Sequence, residues 1–521
     1  MKRLGTKLIL LCATALPLVA AADDRLAVAA MNRDLAGVRQ LLAERGVELD
    51  AMGPNATPAL HWLVNLQEHQ LVRQLLEAGA DVNLQSGIGL NAISLAIAND
   101  DLEMLRLLLE YGADVHSANA AGETPLMEAA RAGAAEMVRL LLVHGAEVDR
   151  REPNFEQTAL MLAARSGSSA TVELLLEAGA DANAQSKMEP EPRFRLPAEV
   201  TASKGVGINW GGWPERGQRA QIDGAKTPLL YATRRGDLAV TKLLVAAGAD
   251  IEQGDGNDVR PLLNAILNAA VANRPERRTE HLEIAHFLIE QGADINAGDW
   301  YGQTPLWAAV DLRNLDVPGP TRDNGMDRDA IFDLIKVLLE RGADPNARTK
   351  EVTPIRRWIT RLGNLSWVDF TGQTPFIRAA LSGDVSTMKL LLEYGADPNA
   401  TTDNGTTALM AAAGINWTVS QTFDEGPQAL LEAVKLAHSL GNDVNAQNKL
   451  GLAAMHGAAN RGLDDIIRWL AEHGARVDIE DAVGRTPVVW AHGVFLATHP
   501  PVDRPETVAL LEELARKQAQ R

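Results

Sequence analysis

Four arginines occupy equivalent positions in three successive segments of similar sequence, each one or two residues before a glycine that ends a predicted helix. They are Arg131, Arg165, Arg234 and Arg235. A guanidinium group presents a planar fork of N–H donors that matches a carboxylate or a phosphate. This row therefore predicts a site for an anionic group. The alternative is that each arginine complements the dipole at the C-terminal end of its helix and stays solvated.

Large aromatic residues form a second set of candidate binding residues. They are Trp210, Trp213, Trp300, Tyr301, Trp358 and Phe370. Trp300 and Tyr301 lie on a turn that is usually exposed, and Phe370 occupies the position equivalent to Trp300 in the next segment. Exposed aromatic residues on loops are common anchors for a partner. The alternative is that the tryptophans pack long loops against the rest of the protein.

Catalytic and metal-binding patterns have little support. Cys12 is the single cysteine, and the histidines include no His-x-x-x-His pair. Asp323, Asp327 and Asp329 lack the glycine and glutamate spacing of a calcium loop. No Gly-x-Ser-x-Gly sequence is present. The sequence therefore predicts no enzymatic activity, no cofactor and no metal site.

The elements that must position these residues are visible in the stretch 121–154. Thr124 can cap a first helix, and Pro125 suits its first turn. Gly133 ends that helix, an apolar second helix follows, and Gly145 ends the second helix. One such pair cannot bury its apolar face alone, so it must stack on copies of itself.

The same unit recurs along the chain with a nearly constant period. The glycine after the second helix is found at Gly79, Gly112, Gly145 and Gly179, at spacings of 33, 33 and 34 residues. Together with Thr-Pro-Leu, the Ala-Ala pair and Gly-Ala-Asp-Val-Asn, this pattern resembles the ankyrin repeat over roughly residues 24–516. The resemblance implies an all-α ankyrin-repeat solenoid of about twelve units in residues 23–521. It also implies binding through a concave face and hairpin tips, and that catalysis is rare.

Two long insertions interrupt the repeats at hairpin tips, near residues 186–223 and 348–370. In the ankyrin arrangement the hairpin tips and first helices border the concave side, so both insertions are expected there. Loops of this length are usually functional or disordered. If ordered, they would roof the hollow into a groove for a small anionic or sugar-like ligand.

Residues 1–22 have the features of a signal peptide. Lys2, Arg3 and Lys7 precede an apolar run of 12 residues, which is too short to span a bilayer, and Ala20-Ala21-Ala22 offers a cleavage site. A membrane anchor or a buried first helix is the alternative. The pattern predicts a bacterial protein that is periplasmic or secreted, without membrane insertion after cleavage.

The chain carries a formal net charge of −18, which opposes nonspecific binding to nucleic acid. Taken together, the sequence predicts an exported scaffold that binds another protein, expected to be periplasmic, with contact centred on repeats four to nine. A small-ligand binding protein is the second hypothesis.

Overall fold

The computed structural model of the protein describes residues 23–190, 222–271, 275–316, 327–350, 371–418, 422–494 and 501–520. Within these ranges the chain forms 24 α-helices in twelve successive pairs. The repeated all-α architecture predicted from the sequence is therefore confirmed. The chain divides into two compact units, unit 1 up to Glu147 and unit 2 from Val148.

The helices of unit 1 are α1 Arg25–Met31, α2 Leu35–Ala43, α3 Ala59–Asn65, α4 His69–Glu77, α5 Ala92–Ala98, α6 Leu102–Glu110, α7 Pro125–Ala132 and α8 Ala135–Val143, with a 3-10 turn at Pro54–Ala56. The first eight helices of unit 2 are α9 Ala159–Ser166, α10 Ser169–Glu177, α11 Pro228–Arg235, α12 Leu238–Ala246, α13 Pro261–Val271, α14 Pro275–Glu290, α15 Pro305–Arg313 and α16 Arg328–Glu340. The remaining eight are α17 Pro375–Ser382, α18 Val385–Glu393, α19 Ala408–Ala412, α20 Pro427–Ser439, α21 Ala454–Arg461, α22 Asp464–Glu472, α23 Pro487–Ala491 and α24 Pro505–Ala519.

The first helix of each regular pair begins and ends where the sequence predicts. The Thr124 hydroxyl accepts a hydrogen bond from the Met127 amide at 3.3 Å, and Pro125 occupies the first turn of α7. Gly133 ends α7 in the left-handed region, with φ of 72°. Side-chain caps of the same kind begin other first helices, at Thr158, Thr227, Thr304, Thr374 and Thr407.

Small residues let neighbouring first helices pack closely. Ala129 and Ala130 on α7 are fully buried in unit 1. In unit 2 a single hydrophobic cluster extends from Leu262 to Leu511. Each pair contributes one apolar face to it, so no pair of that cluster has a core of its own.

A recurring asparagine joins successive hairpins. The Asn346 side-chain amide donates to the Gly395 carbonyl at 2.9 Å, and its oxygen accepts from the Asp397 amide at 2.7 Å. The Asp397 carboxylate in turn accepts from the Asn399 amide, as expected for an aspartate in a turn. The same two inter-repeat bonds are made by Asn83, Asn183, Asn296 and Asn445. The Gly-Ala-Asp-x-Asn sequence thus fixes the spacing of neighbouring repeats within each unit.

The sequence predicts extra residues between the two helices of a pair near 272–280, 313–329 and 414–428. Part of this extra length is helical: α14 has 16 residues and α16 and α20 have 13 each, whereas α12 has nine. At the base of the first long insertion, β1 Glu189–Pro190 pairs antiparallel with β2 Ile222–Asp223. Residues 191–221 and 351–370, the central parts of both insertions, lie outside the described residues.

None of the described helices combines the length and hydropathy that crossing a bilayer requires.

Candidate functional site

The candidate site is a set of arginines in unit 2, at the C-terminal ends of two first helices and in the first turn of a second helix. Arg165 lies in the last turn of α9, and Arg234 and Arg235 end α11. The structure brings the two helix ends together, because the Arg235 Nη1 donates to the Arg165 carbonyl at 3.1 Å. We call Arg165, Arg234, Arg235, Arg277 and Arg278 the arginine cluster.

Arg235 and Arg277 link the cluster into a ladder. Arg277 Nη1 donates to the Arg235 carbonyl at 2.8 Å, as Arg235 does to the carbonyl of Arg165. The last carbonyls of a helix have no partner within it and carry partial negative charge, so a guanidinium is well placed there. Arg235 also lies 3.8 Å from the Asp237 carboxylate and packs over Gly167. These two arginines therefore have a structural role.

Arg165 and Arg234 differ from Arg235 in their surroundings. Both are exposed, and neither guanidinium has a hydrogen-bond or ion-pair partner among the residues that the structure describes. Their backbones are held by the ladder, so the two charges are carried on fixed helix ends. This arrangement can bind a carboxylate or a phosphate without first breaking an internal ion pair.

Sequence reasoning missed Arg277 and Arg278, which stand in the first turn of α14. Arg278 is 8% exposed, and burial lowers the pKa of its guanidinium. The sequence does contain a signal for them: an Arg-Arg pair, Arg234-Arg235, recurs in the next repeat as Arg277-Arg278. These residues lie in the segment 272–280, which the sequence places between the two helices of the pair and not within a helix.

Arg131 belongs to unit 1 and has a partner. Its guanidinium lies 2.6 Å from the Glu123 carboxylate. Binding of an external anion at Arg131 would have to compete with this ion pair.

The aromatic candidates have different positions. Trp300 is partly buried, and its ring makes an edge contact with Tyr301 at 5.0 Å between centroids. Tyr301 is only 1% exposed, so the expectation that its ring is exposed is wrong. The turn is covered because the Lys350 amide donates to the Tyr301 carbonyl, which brings the next hairpin against it. Trp210, Trp213, Trp358 and Phe370 lie outside the described residues.

Two further apolar side chains are exposed on neighbouring hairpin tips of unit 2. Phe155 and Met188 are each 60% exposed. The tips are joined by a hydrogen bond from the Lys187 amide to the Phe155 carbonyl at 2.8 Å. Phe155 precedes α9, the helix that carries Arg165. The exposed Phe155 side chain and the Arg165 guanidinium therefore lie on the same repeat.

A second group of charges in unit 2 is buried between the ends of α15 and α17. Arg378 is fully buried and donates to Asp311 Oδ1 at 2.5 Å, Ser382 Oγ at 2.9 Å and the Asn314 carbonyl at 2.6 Å. Arg313 Nε lies 3.0 Å from Asp384 Oδ2. These groups converge, but each guanidinium is matched with a carboxylate of its own. The group is therefore structural.

Two buried aspartates of unit 2 are shifted in opposite directions. Burial raises the pKa of Asp384, but the charge of Arg313 and hydrogen bonds from Thr387 and Ser386 outweigh it, and the pKa lies below its usual value. Burial raises the pKa of Asp299 to about 7, although its Oδ1 accepts from the Gln303 amide at 2.8 Å. Its Oδ2 has no hydrogen-bond partner within the described ranges.

Within the part of the chain that the structure describes, no group of three or more histidine, cysteine, aspartate or glutamate side chains is arranged to hold a metal ion.

Two known proteins are similar to part of this chain. The chain is 30% identical over 190 residues to "Putative palmitoyltransferase ZDHHC13" of Danio rerio, covering 36% of this chain and 22% of the relative. It is 43% identical over 74 residues to "Putative ankyrin repeat protein FPV233" of Fowlpox virus, covering 14% of this chain and 11% of the relative. The chain thus spans less than a quarter of the length of either relative.

Among solved structures, the chain is similar to the ankyrin repeat domain of Bcl-3, described as a unique member of the IkappaB protein family. The sequences are 26% identical, the match covers 46% of this chain and 93% of that domain, and the TM-score is 0.36.

The family comparison covers much more of the chain. Ankyrin repeats in three copies match residues 26–119, 93–186 and 328–420, and the single ankyrin repeat matches residues 226–256 and 301–350. These matches extend over more than half of the sequence, and the protein is therefore a member of the ankyrin-repeat family.

Proposed function

We propose that this protein is a non-enzymatic scaffold that binds an acidic segment of another protein at Arg165 and Arg234 of the arginine cluster in unit 2. The observation that carries the proposal is the pair Arg165 and Arg234. Both are exposed and lack a partner among the described residues, although the chain is acidic overall. Ankyrin repeats generally serve as scaffolds for protein–protein interaction.

The mechanism is presentation of charge on a fixed framework. Since Arg235 and Arg277 hold the helix ends together, little conformational entropy is lost in the scaffold when a partner binds. Each guanidinium can then make charge-assisted hydrogen bonds to a carboxylate of the partner.

A protein partner is favoured over a small anion by the exposed apolar tips. Phe155 and Met188 add contact surface next to the repeat that carries Arg165, which a small anion would not use. The groove roofed by the two insertions remains the alternative, and it depends on residues 191–221 and 351–370 outside the described ranges.

Export to the periplasm or beyond is a further part of the proposal. It is supported by the basic start, the apolar run and the Ala-x-Ala site in residues 1–22. Expression of the full chain in a bacterium, followed by fractionation and N-terminal sequencing, tests it. A product that begins at Asp23 in the periplasm supports export, and an uncleaved cytoplasmic product contradicts it.

The binding proposal is tested with a fluorescein-labelled peptide of glutamates and phenylalanines, measured by fluorescence anisotropy against the full chain. The variant R165Q/R234Q is expected to bind about tenfold more weakly, because two charge pairs are lost. The matched control is R341Q/R516Q, which removes two exposed arginines elsewhere in unit 2 that also lack a hydrogen-bond or ion-pair partner among the described residues. Equal affinities for wild type and R165Q/R234Q, or an equal loss in the control, would contradict the proposal.

A further inference from the structure

Two histidines and a tryptophan from neighbouring repeats form a cluster on the second helices of unit 2. His438 lies in the last turn of α20, and Trp469 and His473 lie at the end of α22. The rings of Trp469 and His473 are stacked with centroids 3.8 Å apart, and the rings of His438 and His473 lie 5.5 Å apart. The cluster is far in sequence from the arginine cluster and plays no part in the proposed function.

The hydrogen bonds of the two imidazoles fix their tautomers. His438 Nδ1 lies 3.2 Å from the Asn442 carbonyl oxygen, and His473 Nδ1 lies 2.8 Å from the Trp469 carbonyl oxygen. A carbonyl oxygen only accepts, so each Nδ1 carries the proton and donates it. Each neutral ring therefore has its lone pair on Nε2. Neither Nε2 has a hydrogen-bond partner among the described residues.

A histidine that donates from one ring nitrogen to a carbonyl while the other nitrogen is unprotonated has the arrangement of an oriented metal ligand. Two imidazole nitrogens about 2.0–2.1 Å from one ion, at a roughly tetrahedral angle, place their ring centroids about 5 Å apart. The observed separation of 5.5 Å is close to this value.

The surroundings also favour a cation. Both histidines lie at the C-terminal end of a helix, where the helix dipole is negative. The stacking of His473 on Trp469 restrains the ring and reduces the entropy lost on binding.

We propose that His438 and His473 form a two-histidine site for a divalent late transition-metal ion such as Cu²⁺ or Zn²⁺. Imidazole nitrogen is a preferred ligand of both ions. Because the described residues supply no group of three ligands, water or a group from another molecule completes the coordination.

The test uses Cu²⁺ and the untagged full chain, with binding measured by isothermal titration calorimetry and the ligands identified by electron paramagnetic resonance. Wild type is expected to bind one Cu²⁺ through two imidazole nitrogens. H438Q and H473Q should each bind about tenfold more weakly and lose one nitrogen ligand, because the chelate is broken.

His144 offers a matched control in unit 1. It also precedes the glycine after a second helix, and its Nδ1 lies 2.9 Å from the Leu140 carbonyl oxygen. H144Q should leave the affinity for Cu²⁺ unchanged. If H144Q weakens binding as much as H473Q does, or if H438Q and H473Q bind like wild type, the site is refuted. Circular dichroism of each variant checks that the helices are retained.

Discussion

Two sets of arginines on first helices of unit 2 have opposite environments. Arg165 and Arg234, at the ends of α9 and α11, are exposed and lack partners among the described residues. Arg313 and Arg378, on α15 and α17, are buried and matched with aspartates. Residue type and location on a first helix are therefore not enough to assign a role to an arginine in this protein.

The difference arises from what packs against the helix end. After α15, the Phe423 amide donates to the Asn314 carbonyl, so a segment of a later repeat covers this end. Arg328 packs over the Phe423 ring at 3.3 Å, and Arg313 and Arg328 donate to each other's carbonyls. At α9, the side chains of Arg235 and Asp237 lie against the helix end, and the Arg165 guanidinium has no partner among the described residues. The longer segment between α19 and α20 thus covers the end of α15, where Arg313 has a structural role.

The largest expected effect is on the buried set. R378A would leave the Asp311 carboxylate buried without its counter-charge, so the free energy of unfolding should fall by about 3–5 kcal/mol. Urea denaturation followed by circular dichroism measures this change. The double variant R378M/D311L removes both charges and should be less destabilised than R378A. If R378A is as stable as wild type, the distinction between buried and exposed arginines fails.

The buried aspartates also differ from one another, and the raised pKa of Asp299 should make the free energy of unfolding depend on pH. Asp299 has a folded-state pKa raised to about 7, above the value near 3.8 expected in the unfolded chain. Between these values the unfolded state loses its proton first, so this group lowers stability as pH rises from about 4 to about 7, and its effect is constant above that range. The expected loss is roughly 2–4 kcal/mol.

Measuring urea unfolding from pH 5 to pH 8 tests this prediction. D299N cannot ionise at this position, so its stability should fall less over that range than that of wild type. Asp384 has its pKa lowered, so its contribution should be lost only as pH falls below the usual aspartate value. Parallel pH profiles for wild type and D299N would show that Asp299 is not the titrating group.

Local signals in the sequence were sufficient for the helix pairs but not for the burial of individual side chains. Thr124, Pro125 and Gly133 act within one helix, so their roles follow from their positions. Arg378 is neutralised by Asp311, which is distant in the chain, and no local sequence pattern predicts that contact. Tyr301 was expected to be exposed because its own turn is exposed in a regular repeat, whereas the next hairpin covers it here.

Local sequence patterns also predict only part of the candidate site. The positions of Arg165, Arg234 and Arg235 follow from the repeat, but the ladder that separates Arg235 from the other two depends on side-chain geometry. The pairing of His438 with His473 likewise requires neighbouring repeats to stack, because neither local sequence contains a metal-binding pattern.

The smallest expected effect separates members of the arginine cluster by stability. R235Q removes the hydrogen bond to the Arg165 carbonyl and the contact with Asp237, and should lower the free energy of unfolding by about 1 kcal/mol. R165Q/R234Q removes only exposed charges and should change it by less than about 0.5 kcal/mol. Urea denaturation of the three proteins measures both changes. Since R165Q/R234Q is also the variant expected to lose affinity for the acidic peptide, retained stability would assign that loss to the binding surface. A destabilisation of R165Q/R234Q equal to that of R235Q would instead make all three arginines structural, and the exposed set would no longer differ from the buried one.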